Sequence, residues 1–99
     1  MSVAPVGQDV AVRVVISGRV QGVWFRGWTV ETASAKGLRG WVRNRRDGTV
    51  EALLIGPAAA VESMIGACQD GPPMARVDRV ERKSTADDGS VGFRQAPTV

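Results

Sequence analysis

Ninety-nine residues, 43% hydrophobic and 23% charged, can enclose one core but not two, and the balance is that of a folded domain rather than a disordered chain or a disulfide scaffold. A net charge of +3, carried by eleven Arg and two Lys (Lys36 and Lys83), tilts the surface towards anions, while the absence of His removes phosphohistidine chemistry and imidazole acid–base catalysis. The opening Met-Ser-Val-Ala-Pro-Val-Gly has no basic segment ahead of an apolar one, no stretch approaches the ~18 apolar residues that span a bilayer, and the single Cys68 lacks an internal disulfide partner; the expectation is a cytoplasmic chain with no membrane partner.

From Val10 the residues Val10, Val12, Val14 and Ile16 alternate with Ala11, Arg13, Val15 and Ser17, the period of two that a half-buried strand requires. Gly18 to Arg26 then reads Gly-Arg-Val-Gln-Gly-Val-Trp-Phe-Arg. Gly18 and Gly22 can take positive φ, so the chain can curl until backbone N–H groups converge. A helix opening next presents unpaired amides and a favourable dipole to negative charge, and Arg26 adds a planar fork of donors that stays charged at any relevant pH. The layout is that of an anion cradle and predicts a bound phosphoryl group.

Phe25, Trp28, Thr29, Thr32 and Ala33 fall at helical spacing, with Arg26, Glu31 and Lys36 facing outward and Gly37 ending the helix as its C′ residue. Residues 38–45 and 49–56 flank Arg46-Asp47-Gly48, a turn whose Asp-Gly pair suits an antiparallel hairpin. Pro57 is expected at the first position of a second helix, with Val61, Met64, Ile65 and Cys68 as its apolar stripe and Gly71-Pro72-Pro73 as its stop. Residues 75–84 form a strand in which Val77 and Val80 are three apart, so a bulge near Asp78 or Arg79 would turn both inward. Ala86 to Ser90 is a solvated turn, and residues 91–95 a short last strand. Residues 1–7 and 98–99 are expected to be flexible ends of a single domain over 8–97.

Strand, helix, strand, strand, helix, strand is the order of a split βαβ arrangement: an α+β, ferredoxin-like plait with an antiparallel sheet and two helices on one face. Trp41 and Val42 point to opposite faces, so one of them lies on the second surface. Trp24, Trp28 and Trp41 are assigned to packing, Cys68 and Met64 to a helix core, and Arg39, Arg43, Arg45 and Arg46 to a solvated strand face.

Gly18 to Arg26, followed by Gly37-Leu38-Arg39-Gly40-Trp41-Val42-Arg43-Asn44 and Asp47-Gly48-Thr49-Val50-Glu51, closely resembles the acylphosphatase family. The similarity continues through Gly56-Pro57, Gly71-Pro72-Pro73 and Ala75-Arg76-Val77 and spans about residues 10 to 97. It implies hydrolysis of carboxyl phosphates without metal or organic cofactor. The residue matching the family's phosphate-holding arginine is Arg26, and the residue matching its water-positioning asparagine is Asn44. The substrate would also meet the loop from Arg19 to Arg26, through Arg19, Val20, Gln21, Gly22 and Val23. Gly27, where a larger residue is common, Lys36, where an apolar one often stands, and Ala67 depart from the pattern and bear on helix packing more than on chemistry.

The chemistry is also reasonable on its own terms. A carboxylate leaving group has a conjugate-acid pKa of about 4, so P–O cleavage needs little help from a protein acid. Phosphoryl transfer of this kind spreads charge over equatorial oxygens that a backbone nest and one arginine can grip. Other phosphate chemistries fit poorly: Met74 stands where a cysteine phosphatase would need an arginine after Cys68, Asp87-Asp88 is the only adjacent acidic pair, and the loop lacks the Gly-Lys-Ser/Thr ending of a nucleotide P-loop. The alternative is a ferredoxin-like anion- or RNA-binding module without catalysis, but RNA-recognition sheets stack bases on paired aromatics, whereas the candidate strands carry Val14, Ile16, Val50, Leu54 and only Trp41. A carrier domain that kept the anion site without turnover is a third possibility, against which the intact Asn44 argues. The expected partner is a small acyl phosphate and no nucleic acid, and with no heptads the expected state is a monomer.

Overall fold

A computed structural model describes residues 8–99; the expectation for residues 1–7 lies outside it. Strand β1 (Asp9–Arg19) leads through a bend into helix α1 (Phe25–Ala35), followed by β2 (Arg39–Asn44), β3 (Val50–Pro57), helix α2 (Ala58–Asp70), β4 (Arg76–Ser84) and β5 (Phe93–Gln95). The sheet order is β4-β1-β3-β2-β5. Its first three pairings are antiparallel, as the plait requires, but β5 lies parallel to β2 and makes the sheet mixed at one edge. The long connection from β4 permits this, since it carries the chain from one edge of the sheet to the other.

Both helices cover one face. Val12, Val14 and Ile16 of β1, Val42 of β2, and Val50, Ala52 and Leu54 of β3 form one core with Phe25 and Ala33 of α1 and with Val61, Met64, Ile65 and Cys68 of α2. The larger of these side chains each contribute roughly 1.5–3 kcal/mol when fully buried. Val10, at the start of the alternating run, stays exposed. Thr29 is fully buried in α1, and its hydroxyl donates to the Phe25 carbonyl at 2.8 Å, so no polar atom is stranded there. Helix α1 closes with Leu38 N–H donating to the Ala33 carbonyl and Gly37 N–H to that of Ser34, both at 3.0 Å, the paired bonds of a Schellman stop. Pro57 is one position earlier than expected: at ψ 141 it is still extended, closing β3 opposite Asp9, and serves as N-cap instead of first helical residue.

On the opposite face Ala11, Leu53 and Ile55 form a smaller cluster against which Trp41 packs, so Trp41 is the residue on the second surface and Val42 the one in the core. Beside it Glu51 is buried between Arg13 (2.9 Å) and Arg43 (2.7 Å). Arg43 also stacks on the Trp41 ring at 4.4 Å, and the indole N–H donates to Asp88 at 3.1 Å. Arg39 is held by Asp9 and Asp87, and Arg45 lies 3.6 Å from Asp47. The arginine-rich face of β2 is therefore largely paired with carboxylates, and its one aromatic ring is already engaged.

The irregularity expected in β4 lies at Asp78. Ser17 pairs with Arg79 and Gly18 with Val77, which leaves Asp78 as the extra residue and turns Val77 and Val80 to the core. Gly18 belongs to this bulge more than to the loop after it: at φ +126 a Cβ on it would lie 2.2 Å from the Arg76 carbonyl oxygen. Gly18→Ala is therefore expected to cost about 2–4 kcal/mol and to lower the thermal midpoint by on the order of 10 °C or more. Circular dichroism melting checks this; an unchanged midpoint would show that the bulge tolerates a side chain.

Candidate active site

Strand register brings the two sequence motifs to one end of the sheet. Ile16 pairs with Val50 and Val50 with Asn44, so the end of β1, the start of β3 and the end of β2 lie in one row across three strands. The loop that leaves β1 must therefore pass near Asn44. Asn44 has the parity of Val42, which faces the core, so its side chain points to the helix-covered side, where α1 begins. Gln21 ties the loop to the hairpin: its side-chain amide donates to the Arg45 carbonyl at 2.7 Å and to the Thr49 carbonyl at 2.9 Å. The turn itself is braced by Asp47, which accepts from the Thr49 amide (3.0 Å) and hydroxyl (2.6 Å), bonds that hold its carboxyl below the usual carboxylate range.

Val20, Gly22, Arg26 and Asn44 line one cavity of about 110 Å³, several times the room a water needs. Trp24, Phe25, Gly27 and Gln95 complete its wall. Arg19, Gln21 and Val23 do not line it: Arg19 pairs with Arg76 across the sheet and is exposed, Gln21 is spent on the hairpin, and Val23 packs against the main core. Val99, in the end expected to be flexible, donates to the Asn44 carbonyl at 3.2 Å and accepts from the Arg46 amide at 2.7 Å. The chain after β5 thus continues alongside β2 and holds the backbone of Asn44 from its outer side.

The entrance to α1 has features that favour an anion. No side chain caps it and its first turn contains no acidic residue. The first bond at this end runs from the Trp28 amide to the Trp24 carbonyl at 3.0 Å, so among the described residues the amides of Phe25, Arg26 and Gly27 donate to no backbone carbonyl. Arg26 has no carboxylate partner among the described residues, although most other arginines do. A cation left unneutralised beside free amides at a helix N-terminus favours a charged oxyanion, by electrostatics and by hydrogen bonding together. None of the cavity's lining residues is Asp, Glu, Cys or His. Cys68 lies in the core, where burial pushes its thiol up to about 12, and it is unavailable as a nucleophile.

Two features escaped the sequence reading. Gln95 reaches the cavity because β5 lies parallel to β2 with Gln95 opposite Val42; no local signal specifies that pairing. Trp24, assigned to packing, is instead 59% exposed and has φ 66, the one positive φ outside glycine among the described residues. Left-handed backbone at a bulky residue is rare and costs about 1–3 kcal/mol, and such strain gathers at functional sites. The turn from loop to helix demands it, but nothing in the local pattern announces it.

Comparison with known proteins gives the family and the fold. A family model described as acylphosphatase matches residues 12–95. An acylphosphatase of Rhodospirillum rubrum is 62% identical over 86 residues, which span 87% of this chain and 94% of that protein. One of Rhizorhabdus wittichii is 52% identical over 99 residues, 100% of both chains. Among solved structures, the acylphosphatase of Bacillus subtilis superposes with a TM-score of 0.85 at 35% identity, covering 88% of this chain and 98% of that one. With the family's model matched across nearly the whole chain and its fold reproduced, the chain belongs to the acylphosphatase family.

Proposed function

We propose that this enzyme hydrolyses acyl phosphates to a carboxylate and inorganic phosphate, with Arg26 and the amides at the start of α1 holding the phosphoryl group and Asn44 positioning the attacking water. The observation that carries the proposal is the cavity lined by both Asn44 and Arg26, a guanidinium with no carboxylate partner among the described residues, beside the start of α1, which no side chain caps. The water oxygen attacks phosphorus as the bond from phosphorus to the acyl oxygen breaks, and the carboxylate departs with the bonding pair. The cavity offers no carboxylate, thiol or imidazole to take the water's proton, so it passes to a phosphoryl oxygen. Catalysis then rests on positioning and charge stabilisation, the two effects best suited to a loose phosphoryl transition state. Of this loop Val20 and Gly22 line the cavity, and Gln21 sets the loop's distance from the hairpin.

We read the chain as a single domain over residues 8–97 that acts as a cytoplasmic monomer. The buried, unpaired Cys68 accords with a reducing compartment, and no described helix is long and apolar enough to cross a membrane. Purified protein given acetyl phosphate in EDTA is expected to release phosphate at the rate seen without chelator, and to elute at monomer mass in light scattering. Activity abolished by EDTA and restored by a divalent ion would refute the cofactor-free mechanism.

A further inference from the structure

Trp24 and Gly27 explain each other. A Cβ built on Gly27 would lie 2.1 Å from Trp24 Nε1 and 2.6 Å from Cε2, so the indole rests directly on the backbone of the first turn of α1 and only glycine leaves it room. Glycine is the poorest non-proline residue inside a helix, and Trp24 holds a left-handed backbone that glycine or asparagine would adopt more readily. Both positions thus depart from local preference, and together they place an exposed indole on the wall of the catalytic cavity. The ring caps no helix end, and it is not among the residues packed into either hydrophobic cluster.

We infer that Trp24 is the platform for the acyl end of the substrate, and that in this enzyme it is this indole that sets how far flat, apolar acyl groups, aroyl phosphates above all, are favoured over small aliphatic ones. This rests on the reading that Arg26 and Asn44 hold the phosphoryl end. With the phosphoryl group at the start of α1, the acyl group must emerge at the cavity mouth. Val20 and Phe25 are too buried to meet it. The exposed lining side chains there are the Trp24 indole and the polar Gln95. An aryl ring lying against the indole gains an aromatic contact that an acetyl group cannot make, worth on the order of three- to tenfold in transition-state binding.

The test is the ratio of kcat/KM for benzoyl phosphate to that for acetyl phosphate in wild type, Trp24→Gly, Trp24→Phe and Gly27→Ala. Glycine suits φ 66 and so removes the ring without disturbing the turn. The ratio is expected to fall roughly three- to tenfold in Trp24→Gly, to be largely kept in Trp24→Phe, and to fall in Gly27→Ala, where the ring is present but displaced by the new methyl group. In wild type, phenylphosphonate is expected to inhibit at least about threefold more tightly than methylphosphonate, a measurement that depends on no variant folding. An unchanged ratio in Trp24→Gly, or equal inhibition by the two phosphonates, overturns the platform while leaving acyl phosphate hydrolysis intact. Wild type that hydrolyses neither substrate overturns the functional reading and the platform with it.

Discussion

Arg26→Ala is expected to lower kcat/KM for acetyl phosphate by on the order of a thousandfold or more, the scale on which a phosphoryl-clamping arginine acts. It should also abolish competitive inhibition by inorganic phosphate. The guanidinium is the one side-chain cation on the cavity wall, and it makes no ion pair with the described residues that would divert it from the substrate. Because it supports no structural contact of that kind, the thermal midpoint should stay within a few degrees of wild type, which separates loss of chemistry from loss of fold. Arg26→Lys should recover little, since an ammonium cannot present two parallel donors to a pair of phosphate oxygens. Calorimetric titration with phosphate, read beside steady-state kinetics, checks both points; phosphate binding at wild-type affinity by Arg26→Ala would remove this residue from the site.

Asn44→Ala should divide the kinetic parameters differently. Its carboxamide touches no part of the fold through a side-chain hydrogen bond among the described residues, while its backbone is held by pairing with Val50 and by the bond from Val99. The alanine variant therefore keeps the strand in place and removes only the carboxamide proposed to fix the water. We expect kcat to fall by about a hundredfold or more, as for other preorganised polar groups, with phosphate affinity retained, because binding and water positioning rest on different residues. Asn44→Asp should be no better: the carboxylate matches the amide in size but sets a negative charge beside the phosphoryl group and lacks the N–H. Turnover by Asn44→Ala equal to that of wild type would exclude the water-positioning role.

Elements built from local pattern were legible in the chain. The stripe of Val61, Met64, Ile65 and Cys68 is the buried face of α2, and the spacing of Val77 and Val80 pointed to a bulge near Asp78 or Arg79, which the register puts at Asp78. Gly37 marked the end of α1, and Asp47-Gly48 the hairpin. Each of these depends on neighbours within a turn of helix or a few strand residues, where steric preference and periodicity act directly. The motif residues Arg26 and Asn44 were likewise identifiable, and register then places both on one cavity.

Contacts that join distant segments were not legible. The parallel seat of β5 beside β2, which delivers Gln95 to the site, depends on how a connection of several residues crosses the sheet, and backbone hydrogen bonding there does not discriminate among side chains. The same holds for Val99 against Asn44, and for Gln21, expected at the substrate as part of the phosphate loop, whose side chain reaches two carbonyls of the hairpin. Trp24 shows the limit most clearly, because an aromatic in an apolar run looks like core until the turn into α1 carries it outward. Composition, periodicity and motif thus determined the plait, its helix-covered core and the kind of ligand expected. Only the tertiary structure decided which groups line the candidate cavity, because a cavity assembled from three strands and a helix end is set by register and chain crossing, which no short stretch of sequence encodes.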